Sequence, residues 1–175
     1  ADLCARQARQ RGDLMRWICR VLVLVPLALV AVCGFHLRGQ EPLPTVVARP
    51  YIETGDHYSP LHAALTAQLR AAGATLAPDA ATASAVIRLH VDSTGRELLS
   101  IAANNKPGEY EVYYDVEYSV TAGGRELLAR KRARLTRDYS YDEAAVLAKE
   151  HEEQSLRLAL ADELAALILR RLAAL

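Results

Sequence analysis

Cysteine is nearly absent from the sequence, and its placement excludes a fold that depends on disulfides. The 175-residue chain has three cysteines, at positions 4, 19 and 33, so residues 34–175 contain none. That segment therefore has neither a disulfide framework nor a metal site built from paired cysteines. One apolar run stands out, residues 21–32, interrupted only by Pro26. It falls short of the roughly 20 residues that span a bilayer.

An excess of charge of either sign is also absent. The formal net charge is +0, and from Cys33 onward 16 Lys and Arg residues face 19 Asp and Glu residues, a net charge of −3. General nucleic-acid binding requires a basic surface. The charge balance therefore argues against a nucleic-acid partner.

The motifs of common catalytic sites are missing as well. The sequence has no Gly-x-Ser-x-Gly elbow, no glycine-rich phosphate loop and no pairing of a cysteine with a histidine in residues 34–175. His151 is followed by two glutamates, but no second histidine lies one helical turn further on, as a zinc-binding His-Glu-x-x-His motif requires. We predict no enzymatic activity, no cofactor and no metal.

Residues 1–32 have the pattern of a signal peptide. Arg16 and Arg20 supply a positive start, and residues 21–32 match the length of the apolar region of such peptides. Met15 opens an ordinary signal-peptide sequence, so we predict that translation starts there. The signal peptide is expected to be removed and takes no part in the fold.

Cys33 directly follows the apolar run, which is where a bacterial lipoprotein carries its lipid. Residues 29–33 resemble a lipobox, although Val32 stands where glycine, alanine or serine is usual. The alternative is an ordinary secretory signal that leaves Cys33 as a free thiol. We predict an acylated Cys33, a lipidated N-terminal segment at residues 33–44 and a single domain at residues 45–175.

Hydrophobic patterning in residues 45–175 predicts an α+β fold. A short edge strand is expected at Val46 and Val47, and a helix after the N-cap Ser59 and Pro60. Alternation predicts strands at residues 85–92, 109–120 and 126–139. A second apolar stretch at residues 98–101 leads into a loop of turn residues. In residues 85–92 the inward side chains are expected at 85, 87, 89 and 91. A capping box over residues 140–143 predicts a last helix that ends near Leu172. The expected architecture is a four-stranded sheet with two helices packed on one face.

The last two strands are predicted to form a hairpin that turns at Gly123-Gly124. The resulting register places acidic side chains opposite basic ones and apolar opposite apolar, in the pairs Glu117–Arg130, Asp115–Arg132 and Val112–Leu135. The arginine-rich run at residues 130–137 is accordingly interpreted as half of a ladder of ion pairs. The alternative is a phosphate-binding stripe.

The sequence at residues 33–39, CGFHLRG, resembles the start of the lipopolysaccharide-assembly lipoproteins of the outer-membrane transport machinery. Residues 64–76 are similar to that family's first helix, residues 108–120 to its central strand and residues 146–154 to the opening of its last helix. The resemblance covers nearly the whole segment after the signal peptide.

The resemblance implies a lipid-anchored plug rather than an enzyme. Members of the family sit in the lumen of a large outer-membrane β-barrel, help it to assemble and are thought to bind lipopolysaccharide. Gly34 follows the cysteine where aspartate is associated with inner-membrane retention, which favours the outer membrane. Two other functions stay open: an auxiliary lipoprotein of a different envelope transport system, and a periplasmic hydrolase.

By the same resemblance, Lys149 and Lys106 are predicted to bind the phosphorylated sugar end of lipopolysaccharide. Lys149 lies in the opening of the last helix, and Lys106 lies in a loop rich in turn residues. Relatives often carry a basic residue just before the asparagine of this loop, whereas this chain has Ala103 ahead of Asn104. The alternative for Lys149 is a solvated side chain paired with Glu153.

Overall fold

The structure, a computed structural model, describes residues 43–103 and 105–175. The predicted signal peptide, Cys33 and the segment up to residue 42 lie outside the described residues. The elements are a short 3-10 helix (Thr45–Val47), β1 (Pro50–Glu53), α1 (Pro60–Ala71), β2 (Ala85–Ile101), β3 (Pro107–Ala122), β4 (Arg125–Ser140), a second 3-10 helix (Glu143–Ala145) and α2 (Val146–Ala173).

The four strands form one mixed sheet in the order β1-β2-β3-β4, which confirms the predicted α+β class. β1 pairs in parallel with the first four residues of β2, and the other neighbours are antiparallel. Both helices contact the same face: the Tyr114 hydroxyl accepts from the Leu61 amide of α1, and Arg171 of α2 donates to the Tyr118 hydroxyl. The buried core lies between this face and the helices.

The first strand does not lie where the sequence placed it. Val46 and Val47 belong to a 3-10 helix, in which the Val47 amide donates to the Pro44 carbonyl at 2.8 Å. β1 starts at Pro50. A proline is tolerated at the first residue of a strand. The prediction of an edge strand was therefore correct, but its position was wrong, because the strand begins at Pro50 rather than at Val46.

A bulge in β2 reverses which side chains point inward. The register with β3 shifts between Leu89 and Val91, so one residue of β2 is left without a partner. Residues 85, 87 and 89 are buried as predicted, whereas Val91 is exposed. Beyond the bulge the even-numbered residues face the helices, which brings Asp92 and Arg96 to the inner side.

The hairpin turns at Gly123 and Gly124 as predicted, and both glycines have the positive φ angles that such a turn requires. Two irregularities near the turn then shift the register by two residues, so that Glu117 lies opposite Arg132 and Val112 opposite Arg137. The predicted register is therefore wrong. Beyond the irregularities, the shift of two keeps the side chains of residues 131–139 on their predicted faces. Between the irregularities, Leu128 lies opposite the buried Val120, and Ala129 is exposed.

The predicted ion pairs nevertheless form, on the diagonal. Arg130 Nε lies 2.8 Å from Glu117 Oε1, and Arg132 Nε donates to Asp115 Oδ1 at 2.9 Å. Diagonal neighbours are within reach of long side chains. Arg132 lowers the pKa of Asp115, whose carboxylate is nearly buried. Arg130, Arg132 and Arg134 of the arginine-rich run thus pair with carboxylates of the sheet, in agreement with the interpretation as a ladder of ion pairs. Arg137 instead pairs with Glu163 of α2.

α2 begins later than expected and without the predicted capping box. β4 extends through Ser140, so that residue belongs to a strand. Asp142 caps the second 3-10 helix by accepting from the Ala144 amide at 2.9 Å. α2 follows from Val146 to Ala173, close to the predicted end at Leu172.

Candidate functional site

One end of the sheet gathers the residues that the sequence singled out. β2 ends at Ile101, β3 begins at Pro107, β4 ends at Ser140, and α2 starts at Val146. We call this region the loop end, meaning the described residues among 98–108 together with residues 140–152. Backbone hydrogen bonds hold it together, from the Ala102 amide to the Lys106 carbonyl at 2.8 Å and from the Tyr141 amide to the Gly108 carbonyl at 2.9 Å.

Lys106 extends from the loop between β2 and β3 towards the second 3-10 helix. Its ammonium group forms an ion pair and hydrogen bond with the carboxylate of Glu143, and both side chains are about half exposed. This hydrogen bond raises the pKa of Lys106. Lys106 thus places a positive charge at the loop end, beside the carboxylate of Glu143.

Lys149 lies on the first turns of α2, at the same end of the sheet. Its Nζ atom is 2.8 Å from Glu152 Oε2 and 3.5 Å from the Ser140 hydroxyl, and its side chain is 18% exposed. The sequence alternative, a pair with Glu153, is wrong, because Glu153 points into the protein. The structure therefore brings both predicted lysines to the loop end, each beside a carboxylate.

The loop end also exposes apolar side chains that the sequence analysis did not assign to a site. β2 contributes Leu98, Leu99 and Ile101, and α2 contributes Val146 and Leu147, the last of these 75% exposed. The first buried residue of α2 is Glu153, so Val146 and Leu147 precede the part of the helix that packs into the core. The loop end thus combines basic groups with an exposed apolar surface.

A buried charge cluster fixes α2 against the sheet beside the loop end. Glu153, only 8% exposed, accepts from Arg96 Nη1 and from the Tyr139 hydroxyl, both at 2.8 Å, and pairs with Arg157. Burial alone would raise the pKa of Glu153, but the hydrogen bonds from Tyr139 and Arg96 lower it below its ordinary value. The cluster orients the helix turn that carries Lys149.

Within the part of the chain that the structure describes, no three His, Cys, Asp or Glu side chains are grouped so that they could hold a metal ion. Neither helix in that part combines the length and the apolar composition that a membrane crossing needs.

Comparison with known proteins identifies the family. The family model for lipopolysaccharide assembly, LptE, matches residues 48–172, which is most of the chain. The chain belongs to this family. The resemblance seen in the sequence is thereby confirmed.

Individual relatives agree with the LptE family model. The chain is similar to the LPS-assembly lipoprotein LptE of Yersinia enterocolitica, with 29% identity over 155 residues that cover 87% of this chain and 74% of the relative. It resembles the solution structure of lipoprotein B from Nitrosomonas europaea, with a TM-score of 0.66, 28% identity and coverage of 81% and 91% of the two chains. It also resembles the crystal structure of rare lipoprotein B from Shewanella oneidensis, with a TM-score of 0.63, 28% identity and coverage of 72% and 94%. Members of the LptE family are outer-membrane lipoproteins of lipopolysaccharide assembly.

Proposed function

We propose that this lipoprotein binds lipopolysaccharide at the loop end while it plugs, and helps to assemble, the outer-membrane β-barrel that inserts lipopolysaccharide. The observation that carries the proposal is the joint presence of Lys106, Lys149 and exposed apolar side chains at one end of the sheet. Lipopolysaccharide offers phosphate groups next to acyl chains, so a surface with both characters is complementary to it. Membership of the LptE family supports a role for this binding in lipopolysaccharide assembly.

The lysines suit a phosphate whose position varies. Each ammonium group is a compact charge on a flexible stem. Lys106 pairs with the carboxylate of Glu143, and Lys149 pairs with that of Glu152. A phosphate with more negative charge than a carboxylate competes for the same donors. Binding at the loop end then exchanges one ionic contact for a stronger one.

Replacing Lys106 and Lys149 together with glutamine is expected to weaken lipopolysaccharide binding at least about tenfold, because two charge-assisted contacts are lost. The measurement is direct binding of purified lipopolysaccharide to the wild-type and variant proteins. Lys131→Gln is the matched control, since Lys131 is the only other lysine of the chain and lies exposed on β4. Equal affinity of the double variant and the control would exclude the two lysines from the site.

The apolar part of the loop end is tested in the same assay. Leu147→Ser removes a side chain that is 75% exposed, so the fold is expected to keep its stability while the binding of acylated ligand weakens. Leu158→Ser is the control, because Leu158 is half exposed further along the same helix. Equal effects of the two changes would argue against an acyl-chain contact at the loop end.

Placement inside a barrel is supported by the outer face of the sheet. The ion pairs of Glu117 and Asp115 with arginines of β4 cover that face with charge, and the lumen of an outer-membrane barrel is polar. Affinity purification of the native lipoprotein from outer membranes is expected to recover a large β-barrel protein whose amount falls when the lipoprotein is depleted. Recovery of an inner-membrane transport complex instead would identify an auxiliary lipoprotein of another system. Turnover of an envelope substrate by the purified protein would identify a hydrolase.

Acylation of Cys33 is the proposed means of anchoring. One acyl chain gives only marginal membrane binding, so a durable anchor needs more than one chain. Mass spectrometry of the native N-terminal peptide is expected to show a chain that begins at Cys33 with several acyl groups. A Cys33→Ser variant is expected to leave the membrane fraction. An unmodified thiol, or cleavage at another residue, would contradict the proposal.

A further inference from the structure

A cavity lies at the opposite end of the sheet from the loop end. It has a volume of about 600 Å³ and is open to solvent, between β1, α1 and the segment that follows α1. We call it the β1 pocket. β1 pairs with the first residues of β2, Ala85 to Arg88, whereas the loop end lies beyond the last residue of β2, Ile101. The β1 pocket is therefore separate from the proposed lipopolysaccharide site.

Three polar side chains from successive turns of α1 line the β1 pocket. His62, Thr66 and Arg70 are four residues apart, so they form a stripe along one side of the helix. Leu61, Leu65 and Leu69 form the neighbouring stripe and are fully buried in the core. The core contacts of the leucines therefore fix the direction in which the polar stripe points.

Two hydrogen-bond donors of this stripe have no partner within the described residues. The Thr66 hydroxyl is buried and makes no hydrogen bond there. The Arg70 guanidinium forms no ion pair in the same part of the chain, unlike Arg96 and Arg132, each of which meets a carboxylate. A buried hydroxyl without a partner costs free energy. A ligand with acceptor oxygens would remove that cost.

The remaining lining residues favour an anion. Tyr51 and His57 complete the polar part of the wall, and no carboxylate lines the pocket. The rings of His57 and His62 meet edge to face with their centroids 5.3 Å apart. Burial, followed by the proximity of His57, lowers the pKa of His62, while Asp92 and Asp56 act in the opposite direction with a smaller effect. Protonation of His62 in acid adds positive charge beside Arg70.

We propose that the β1 pocket binds a phosphate monoester or free phosphate, through the Arg70 guanidinium, the Thr66 hydroxyl and the imidazole of His62. A guanidinium offers two parallel donors to a phosphate, and the hydroxyl supplies a third. The ligand is either a free anion or the headgroup of a phosphorylated lipid. The inference goes beyond the proposed function, because it uses neither Lys106 nor Lys149.

The first test measures the binding of inorganic phosphate to the full-length protein by calorimetry, at about pH 5.5 and about pH 7.5, on either side of the ordinary histidine pKa. Binding is expected to be tighter at the lower pH, because His62 is then more fully protonated. Arg70→Gln is expected to weaken binding about tenfold or more. Arg125→Gln is the control, since Arg125 is exposed at the hairpin turn. Absence of phosphate binding at both pH values, or equal affinity of the two variants, would overturn the proposal.

Thr66→Val separates binding from structure. The change removes the hydroxyl but keeps the shape of the side chain, so phosphate affinity is expected to fall while the melting temperature stays the same or rises. Loss of stability without loss of affinity would assign Thr66 a purely structural role and contradict the proposal.

Vesicles of phosphatidylcholine with and without phosphatidic acid distinguish the two sources of phosphate. Binding to the phosphatidic acid vesicles that is lost in Arg70→Gln indicates a lipid headgroup, and phosphate binding alone indicates a free anion. In the background of the double glutamine variant at Lys106 and Lys149, Arg70→Gln is still expected to weaken phosphate binding about tenfold or more. Phosphate binding that is lost in the double glutamine variant and unaffected by Arg70→Gln would assign it to the loop end and overturn the proposal.

Discussion

Replacing Glu153 with glutamine is expected to lower the free energy of unfolding by about 3 kcal/mol, because removal of one partner from a buried charge cluster leaves the others uncompensated. The carboxylate of Glu153 receives three donors, from Arg96, Tyr139 and Arg157. Glutamine keeps the size of the side chain but turns one acceptor into a donor that faces an arginine. The two arginines are partly exposed, so water relieves some of the cost and the expected value lies at the low end of the range for such clusters.

Urea unfolding of Glu153→Gln and Glu152→Gln checks this expectation. Glu152 is the next residue, is about half exposed and contacts only Lys149 among the residues described. Its replacement is expected to change the free energy of unfolding by no more than about 0.5 kcal/mol. Similar values for the two variants would mean that the cluster contributes nothing beyond surface charge.

The pH dependence of stability is a second test of the cluster around Glu153. The folded-state pKa of Glu153 lies below its ordinary value of 4.5. Its contribution is therefore fully present above about pH 4.5 and is lost as the pH falls through the lower, folded-state pKa. The stability difference between the wild type and Glu153→Gln is expected to be constant near neutrality and to shrink in acid. A difference that grew as the pH fell would contradict the lowered pKa.

The sequence predicted which faces of the sheet are apolar, because alternation is a local property. It could not predict the bulge near His90, since nothing in the alternation of residues 85–92 marks an unpaired residue. Because of the bulge, Asp92 and Arg96 face the helices. Asp92 there hydrogen-bonds with Tyr114 and Ser59, and Arg96 joins the cluster around Glu153. The same limit applies to the hairpin, where two irregularities shifted the register by two residues and brought Leu128, rather than Ala129, to the apolar face.

The candidate site was predicted in part. The positions of Lys106 and Lys149 came from the family resemblance, and the fold brings both to one end of the sheet. The exposed apolar residues Leu98, Leu99 and Leu147 were not assigned to the site, because hydrophobic side chains in a strand or helix are expected to be buried. These residues are exposed because the end of β2 and the first turns of α2 extend beyond the part of α2 that packs into the core, which begins at Glu153. A local sequence pattern does not show how far one element extends beyond its neighbours.

Tyr114 carries the other buried polar cluster, and its replacement with alanine is expected to have the largest effect on stability, about 3–5 kcal/mol. The ring is fully buried on β3, and its hydroxyl donates to Asp92 Oδ1 at 2.7 Å and accepts from the Leu61 amide at 3.2 Å. Burial, together with the hydrogen bond to Asp92, raises the pKa of Tyr114 well above its ordinary value, which keeps the hydroxyl protonated as the donor to Asp92.

Two further changes separate the ring of Tyr114 from its hydroxyl. Tyr114→Phe keeps the ring and is expected to cost about 1–2 kcal/mol, because the Leu61 amide and Asp92 each lose a hydrogen bond, although Asp92 keeps the Ser59 hydroxyl at 2.5 Å. Tyr113→Phe is the matched control, since Tyr113 is the preceding residue and lies on the outer face against Arg134; it is expected to cost less than about 0.5 kcal/mol. Thermal and urea unfolding of the three variants give the comparison. If Tyr114→Phe proved as mild as Tyr113→Phe, the network from β2 to the start of α1 would not stabilise the fold, and packing of the ring alone would account for the loss in Tyr114→Ala.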